Sequence, residues 1–411
     1  MTRLLFGRSA RDPVPLLRAD SWRRSLRLYA PVFAVGVGGS ALVHWNRTPD
    51  DPPWAVLYVA AVLLGFLVAH RVLDGEDPIL LPTTALLVAV GLVMVFRLQP
   101  HGLAYHAAWT CAGLGGLVAA CRVPSCFRWP QAATAAALLL GSVAPWAWQA
   151  LPGGWQLAAG DLVTQLGSEV AKVCVVVWAA SELKHGRIRG PAVAVWATAV
   201  ALWLVRGQVA TAAVLVWVGL AVAYCAGPPV RALALVAGGF VVLAGLVHAS
   251  FPHLVDRVAG WANPWADPMG AGYPLVQSLF AVAAGGLVGS GPGAGYPELV
   301  PEAHTSQTLA AVAEEWGFVG VVGLVCAYAV WVGRMLRLAV RARRIWSRWA
   351  AVGAASLVAG QVFLSGAGCT GLLPHTEAAL PFVSTVGVSV AGYLILLGVV
   401  VGSGQVEEGG G

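Results

Sequence analysis

Charge is scarce in this sequence. Only 11% of its 411 residues are Asp, Glu, Lys or Arg, while 58% are hydrophobic. Mean hydropathy is +0.75, more apolar surface than one water-soluble domain can hide. Cysteine is also sparse. Cys111, Cys121, Cys126, Cys174, Cys225, Cys326 and Cys369 form an odd, scattered set, mostly within apolar runs. That pattern excludes a disulfide framework and a zinc site, and predicts small buried packing residues. The first 27 residues lack a continuous apolar core, which excludes a cleavable signal peptide and predicts a basic cytoplasmic tail. The net charge of +6 is not gathered into a patch. Basic residues sit mainly in short loops between apolar runs, as orientation signals do, which argues against a nucleic-acid partner.

What the sequence has is long apolar runs. Twelve candidate membrane spans lie near 28–46, 54–73, 79–97, 103–121, 131–149, 163–183, 191–205, 209–226, 229–250, 308–333, 349–372 and 378–402. The seventh is short for a bilayer, so a tilted or partly merged helix is expected there. The tail, the even-numbered loops and the loop after the tenth span carry most of the arginines, among them Arg23, Arg24, Arg122, Arg334, Arg341 and Arg348. The other side carries only Arg47, Arg97, Arg206 and Arg257. This asymmetry predicts a multi-pass protein of the cell membrane with both termini in the cytoplasm. Residues 251–307 then form one large external loop, the default place to look for function. The expected fold is all-α and polytopic, in four stretches: the tail 1–27, two extra helices in 28–76, a membrane core 77–402 and a short cytoplasmic tail 403–411.

That loop and the span after it read "WANPWADPMGAGYPLVQSLFAVAAGGLVGSGPGAGYPELVPEAHTSQTLAAVAEEWGFVGVVG". Trp265, Asp267, Pro268, Gly272, Tyr273, Gln277, Ser278 and Leu279 are followed by the glycines 285, 286, 289, 291 and 293. Pro301, Glu302, Ala303, His304, Thr305, Glu314, Glu315, Gly317 and Gly320 come next in register. Upstream, "QLGSEVAKV" holds Gln165, Glu169 and Lys172; downstream, "GLLPHTEAALPFVSTVGVSV" holds Pro374, Thr376, Leu380, Pro381, Phe382, Ser384, Gly387 and Ser389. In order and content this resembles the SEDS family of shape, elongation, division and sporulation proteins (FtsW, RodA, SpoVE). Their patterns are QSL, GGL.G.G.G, P.AHTD, QPSE.AK and P.TG..LPF.S.GGSS. Each glycine motif alone is weak, but the combination is specific.

The resemblance implies ten core helices, which are spans three to twelve, and a peptidoglycan glycosyltransferase that joins lipid II units at the outer membrane face. It implies a lipid-linked peptidoglycan precursor and a class B penicillin-binding protein as partners. It implies no cofactor, leaves room for a divalent cation, and gives no metal-binding residues. The chemistry needs a general base for the acceptor hydroxyl and positive charge for the leaving pyrophosphate. In the family the base is the Asp of AHTD. Here that position is Ser306, and a hydroxyl does not accept a proton near neutral pH as a carboxylate does. Further departures are Gln208 for an Asp, "PGGWQLAAG" without the Arg of NGAR, Pro274 for a Gln, and "VGVS" for GGSS. Three readings stay open: a glycosyltransferase with a relocated or weak base, a non-catalytic homologue that scaffolds a partner, and a protein that binds or moves another polyprenyl-linked or lipidic compound.

Among single residues, Glu302 is the substitute base, against the bland reading of a solvated loop acid. Glu169 and Lys172, three apart on one helix face, read as a pyrophosphate-facing polar pair or a self-neutralising one. Gln277, His304, Thr305 and Ser384 complete the substrate-binding set that the resemblance implies. Glu314 and Glu315 read as structural. A Ser306 triad built from its own neighbours is excluded, because a base must fold back from elsewhere. His253 and His375 read as interfacial polar residues. Trp45, Trp54, Trp129 and Trp148 at span ends read as an aromatic belt. The run "GSGPGAG" lacks the Lys-Ser/Thr end of a phosphate loop, so its glycines predict tight turns and close backbone approach.

Overall fold

The computed structural model describes residues 19–46, 54–73, 77–122, 131–149, 155–183, 190–227 and 230–404. Every regular element among them is a helix. In order these are α1 (Ala19–Phe33), α2 (Gly39–Asn46), α3 (Trp54–Leu73), α4 (Leu80–Leu98), α5 (Leu103–Arg122), α6 (Gln131–Gln149), α7 (Trp155–Leu183) and α8 (Gly190–Val205). Then follow α9 (Val209–Ala226), α10 (Val230–His248), α11 (Pro252–Ala262), α12 (Tyr273–Gly285), α13 (Thr308–Arg341), α14 (Ile345–Cys369) and α15 (Gly387–Gly404). A π-helical stretch, Ala34–Gly38, joins α1 to α2 into one rod, and Ser40 returns its hydroxyl to the loosened carbonyls of Gly36 and Val37 at 2.8 and 3.0 Å.

The protein is a polytopic all-α membrane protein. Eight helices among the described residues are long and apolar enough to cross a bilayer, and the remaining predicted spans coincide with shorter apolar helices. The seventh is the 16-residue α8, about 24 Å long at 1.5 Å per residue. The basic residues Arg128, Lys184, Arg187 and Arg189, the start of "PGGWQLAAG", Cys126, Trp129 and both chain ends lie outside the described residues.

The twelfth predicted span needs correction. Helix starts only at Gly387, not near 378. Pro381 interrupts the segment, and Leu380, Phe382 and Val383 are fully buried without being helical. Phe382 packs against Trp331 and Tyr393 at ring distances of 5.7 and 5.2 Å. Gly91 makes room for it, since a Cβ there would lie 2.4 Å from the Phe382 carbonyl oxygen. The apolar content that reads as a span start is therefore a buried loop lying on α4. The cysteine expectation holds in part: Cys121 and Cys369 are buried, while Cys111, Cys225 and Cys326 sit on the bundle exterior.

α4 is almost wholly enclosed, by the α1–α2 rod, α3, α5 and α13. α15 packs on α5, while α7 contacts α6, α9, α14 and α15. The two half-length helices α11 and α12 fall in the predicted large loop and carry it back toward α13 and α14.

Candidate functional site

The loop is held by a bend in α13. At Gly317 the backbone leaves helical geometry (φ 67°, ψ −171°). Two helical bonds are lost there. The N–H groups of Phe318 and Val319 donate instead to the carbonyls of Gly286 and Leu287, at 2.9 and 3.0 Å. The carbonyls of Glu314 and Glu315 accept from Ser290 and Gly291, at 3.0 and 2.9 Å. Every group released by the bend is re-paired by the incoming loop. The approach is too close for side chains: a Cβ on Gly285 would sit 1.8 Å from the Ala313 oxygen, and one on Gly289 2.2 Å from the Glu315 oxygen. The glycine run works as expected, by close backbone approach.

Charge then fastens the loop. Glu315 is fully buried; it accepts from Arg97 Nε at 2.6 Å and from the Gly293 N–H at 3.0 Å. Arg97, on α4, also donates to the Gly295 carbonyl at 2.7 Å and to Glu298 at 3.0 Å. Glu314 accepts from the Tyr296 N–H at 2.8 Å. Glu314 and Glu315 are thus structural, and Arg97 is a buried strut.

Beyond this strut the chain turns at Glu302, which adopts left-handed backbone (φ 56°). The Glu302 carbonyl accepts from the N–H groups of Thr305 and Gln307, both at 3.0 Å. The turn brings Ser306, 2% exposed, beneath the Glu302 side chain. Ser306 Oγ donates to Glu302 Oε2 at 2.5 Å. His375 Nε2 lies 3.2 Å from Ser306 Oγ and 3.3 Å from Glu302 Oε2. The expectation that His375 is an interfacial residue without a site is therefore corrected. It arrives from the buried loop after α14, which is tied to the turn where Thr385 donates its N–H and hydroxyl to the His304 carbonyl at 2.9 and 2.7 Å.

α11 closes the corner. Trp261 Nε1 donates to the Gly371 carbonyl at 2.8 Å, and Arg257 pairs with Glu377 at 2.8 Å. Arg257, Trp261, Leu275, Glu302 and His375 line a cavity of about 80 Å³. The hydrogen bond from His375 is the main reason the Glu302 carboxyl is held low, at about 2. Partial burial opposes it; the Ser306 hydroxyl, the charge of His375 when it is protonated and the charge of Arg257 act with it. Glu302 is ionised at any ordinary pH. Ser306, His375 and Glu302 do not form an acyl-transfer triad, because serine and carboxylate both meet Nε2. A triad needs them on opposite ring nitrogens.

The other predicted residues divide. Thr305 donates its hydroxyl to the Glu302 carbonyl at 3.4 Å, so Glu302, His304, Thr305 and Ser306 form one turn. Ser384 is 1% exposed, and its hydroxyl has no hydrogen-bond partner among the described residues; it sits beside the Thr385 that anchors this turn. Gln277 is half-buried on α12, next to Ser278, whose hydroxyl donates to the Cys369 carbonyl at 2.9 Å. Lys172 and Glu169 are each 5% exposed and paired with one another on α7; they are not bonded to the Glu302 corner. Tyr393 and Gln361 form another buried polar pair in the bundle. No group of three or more His, Cys, Asp or Glu is placed to hold a metal among the described residues.

The family model for the FtsW/RodA/SpoVE cell cycle proteins matches residues 161–406. The chain belongs to this family. A Mycobacterium tuberculosis protein named peptidoglycan glycosyltransferase RodA is 29% identical over 97% of this chain and 92% of its own. A Geobacter sp. protein named probable peptidoglycan glycosyltransferase FtsW is 32% identical over 56% of this chain and 66% of its own. A solved structure concerned with how a peptidoglycan synthase complex coordinates polymerization and crosslinking contains a similar chain, at TM-score 0.61 and 25% identity over 79% of this chain and 96% of that one. Both halves of the Glu302 corner, the 301–306 turn and the His375 loop, fall inside the matched residues.

Sequence reading found Glu302 and Ser306 but missed His375 and the Arg257–Glu377 pair. One signal was available. In the pattern P.TG, Glu377 stands where the glycine belongs, so a charged residue falls two places after a histidine in a segment that otherwise follows the pattern.

Proposed function

We propose that this protein assembles cell wall by glycosyl transfer onto lipid-linked peptidoglycan precursor, with the acceptor hydroxyl entering the corner formed by Glu302, Ser306 and His375. One observation carries the reading. The position that holds a carboxylate in the SEDS pattern is Ser306, and a carboxylate from four residues upstream reaches to 2.5 Å of its hydroxyl. The corner that lacks the acid at Ser306 keeps a carboxylate within reach of it. Membership of a family whose relatives are named peptidoglycan glycosyltransferases supports the same reading.

A class B penicillin-binding protein is the proposed partner; the similarity to a chain of a peptidoglycan synthase complex supports it. The corner is proposed to face outward and both termini to be cytoplasmic, as the arginine asymmetry implies. A cytoplasmic signal from a reporter at Ser290 overturns that orientation.

A second reading, binding without polymerisation, is favoured by the commitment of Lys172 to Glu169, which leaves that cation engaged rather than open to a pyrophosphate. Labelled lipid II, offered to the full chain in nanodiscs with and without a penicillin-binding partner, separates the two. Binding with slow polymer supports glycosyl transfer. Binding without polymer supports the second reading, and absence of binding overturns both.

A further inference from the structure

We propose that His375 is the proton acceptor of this site and Glu302 its positioning carboxylate, the pair standing in for the acid absent at Ser306. The inference rests on the glycosyl-transfer reading above and names its base.

The hydrogen bonds fix the tautomer. Ser306 has one proton, and it is donated to Glu302 Oε2 at 2.5 Å. Toward His375 the serine therefore offers only lone pairs, and an ionised carboxylate offers nothing else. Both face the same ring nitrogen, at 3.2 and 3.3 Å. Nε2 must then carry the hydrogen, and a neutral imidazole keeps its lone pair on Nδ1. No hydrogen bond to Nδ1 occurs among the described residues, and His375 lines the cavity. The ring is thus held by one nitrogen, while the other, which lies beside Gly368 on α14, keeps an unshared lone pair; in this arrangement a carboxylate orients a histidine base and stabilises the imidazolium that forms.

Basicity agrees with this geometry. A carboxyl held at about 2 is poorly matched to accept a proton near neutral pH, since the best acceptors titrate near the working pH. The charged groups around His375 are Glu302, which bonds it, and the Arg257–Glu377 pair beside it on α11 and its own loop.

The step balances simply. The acceptor hydroxyl oxygen bonds to the donor's anomeric carbon. The bond from that carbon to the pyrophosphate oxygen breaks, and the lipid pyrophosphate leaves with the electron pair. The hydroxyl proton passes to Nδ1 and from there to water.

The test is lipid II turnover by the full chain in nanodiscs across pH, with lipid II binding measured in parallel. Wild-type turnover should fall on the acidic side as Nδ1 becomes protonated. His375→Gln should lower kcat by about 10²–10⁴ while binding holds, and should remove that limb. Glu302→Gln should lower kcat less and move the limb to lower pH, with partial rescue by Glu302→Asp. Wild-type turnover that stays flat to about pH 4 overturns the assignment whether or not any variant folds. So does a folded His375→Gln with wild-type kcat. A wild type that makes no polymer at any pH, whether or not it binds lipid II, defeats the underlying glycosyl-transfer reading instead.

Discussion

Two corners of one loop, fastened to opposite ends of the same short stretch, are built in opposite ways. Around Gly289, Glu315 and Gly317 the residues follow the SEDS pattern and the structure uses each of them for backbone pairing or a buried ion pair. Around Ser306 the pattern is kept from Pro301 to Thr305 but broken at Ser306 itself and at Glu377, and the structure draws its polar groups from three segments: Arg257 on α11, Glu302 on the turn, His375 and Glu377 on the loop before α15. The first corner depends on shape, with tolerances of tenths of an ångström. The second depends on which side chains converge, and those can come from elsewhere in the chain.

The contrast should be plainest at Arg97. Arg97→Leu strands the fully buried Glu315 carboxylate, and breaking a buried pair from one side costs about 3–5 kcal/mol. Thermal unfolding in detergent should drop steeply, and hydrogen exchange should rise across 286–300, whose N–H of Gly293 and carbonyl of Gly295 belong to the same network. Arg97→Leu with Glu315→Leu should recover part of the loss. Full stability in the single variant would show that the strut is dispensable.

Next in size is Gly289→Ala. It combines a positive φ of 80° with a Cβ 2.2 Å from a backbone oxygen. Overpacking of this kind costs about 1–3 kcal/mol. Gly323→Ala, six residues beyond the bend on α13, is the matched control, because nothing lies within 4 Å of its Cβ. There alanine should be neutral or stabilise by up to about 1 kcal/mol through helix propensity. Equal melting temperatures for the two would contradict the close-approach account.

How legible this was in the sequence follows the same division. The helices could be read because membrane burial demands long apolar runs, and α3, α5 and α9 match their predicted spans to within a residue. The glycine run could be read as close approach, though not what it approaches, since α13's bend at Gly317 leaves no apolar signature. Glu302 was legible because only four residues separate it from Ser306. His375 is 69 residues away, and the one local hint, Glu377 two places on, does not by itself distinguish a site histidine from an interfacial one. The false span start at 378 has the same root: Leu380, Phe382 and Val383 look like membrane residues because they are buried against other helices.

A smaller effect is expected on acidification. The Glu302 carboxyl is depressed from 4.5 to about 2, so the folded turn binds fewer protons than the unfolded chain in that window. Its contribution is fully present above about pH 4.5 and is lost as pH falls through about 2. The side chain is 44% exposed, so solvent screening keeps the global effect small. Hydrogen exchange at the Thr305 and Gln307 N–H groups, which the turn protects, should rise in that window before the helices respond. Glu302→Gln should abolish the pH dependence. Unchanged dependence in that variant would assign it to another acid.

The smallest expected change is the one that looks most like a repair. Ser306→Asp restores the SEDS residue, yet turnover should stay within about tenfold of wild type. The new carboxylate would stand where Ser306 Oγ now lies 2.5 Å from Glu302 Oε2. Two acids that close share a proton, and one is pushed to the neutral form. The serine's donation to Glu302 disappears, and a second anion competes for the Nε2 hydrogen of His375. The rest of the SEDS pattern is not restored either: Gln208 still stands at the N-terminal cap position of α9 where an Asp is expected, and Lys172 is still committed to Glu169. A base contributes only when donor and acceptor are held in reach, and small misplacements cost about 10²-fold. The variant should therefore show a displaced acidic limb more clearly than a faster rate. A rise of about 10²-fold or more in polymer would show that the original acid suffices in this pocket, and that the convergence of Glu302 and His375 on Ser306 is not what carries the reaction.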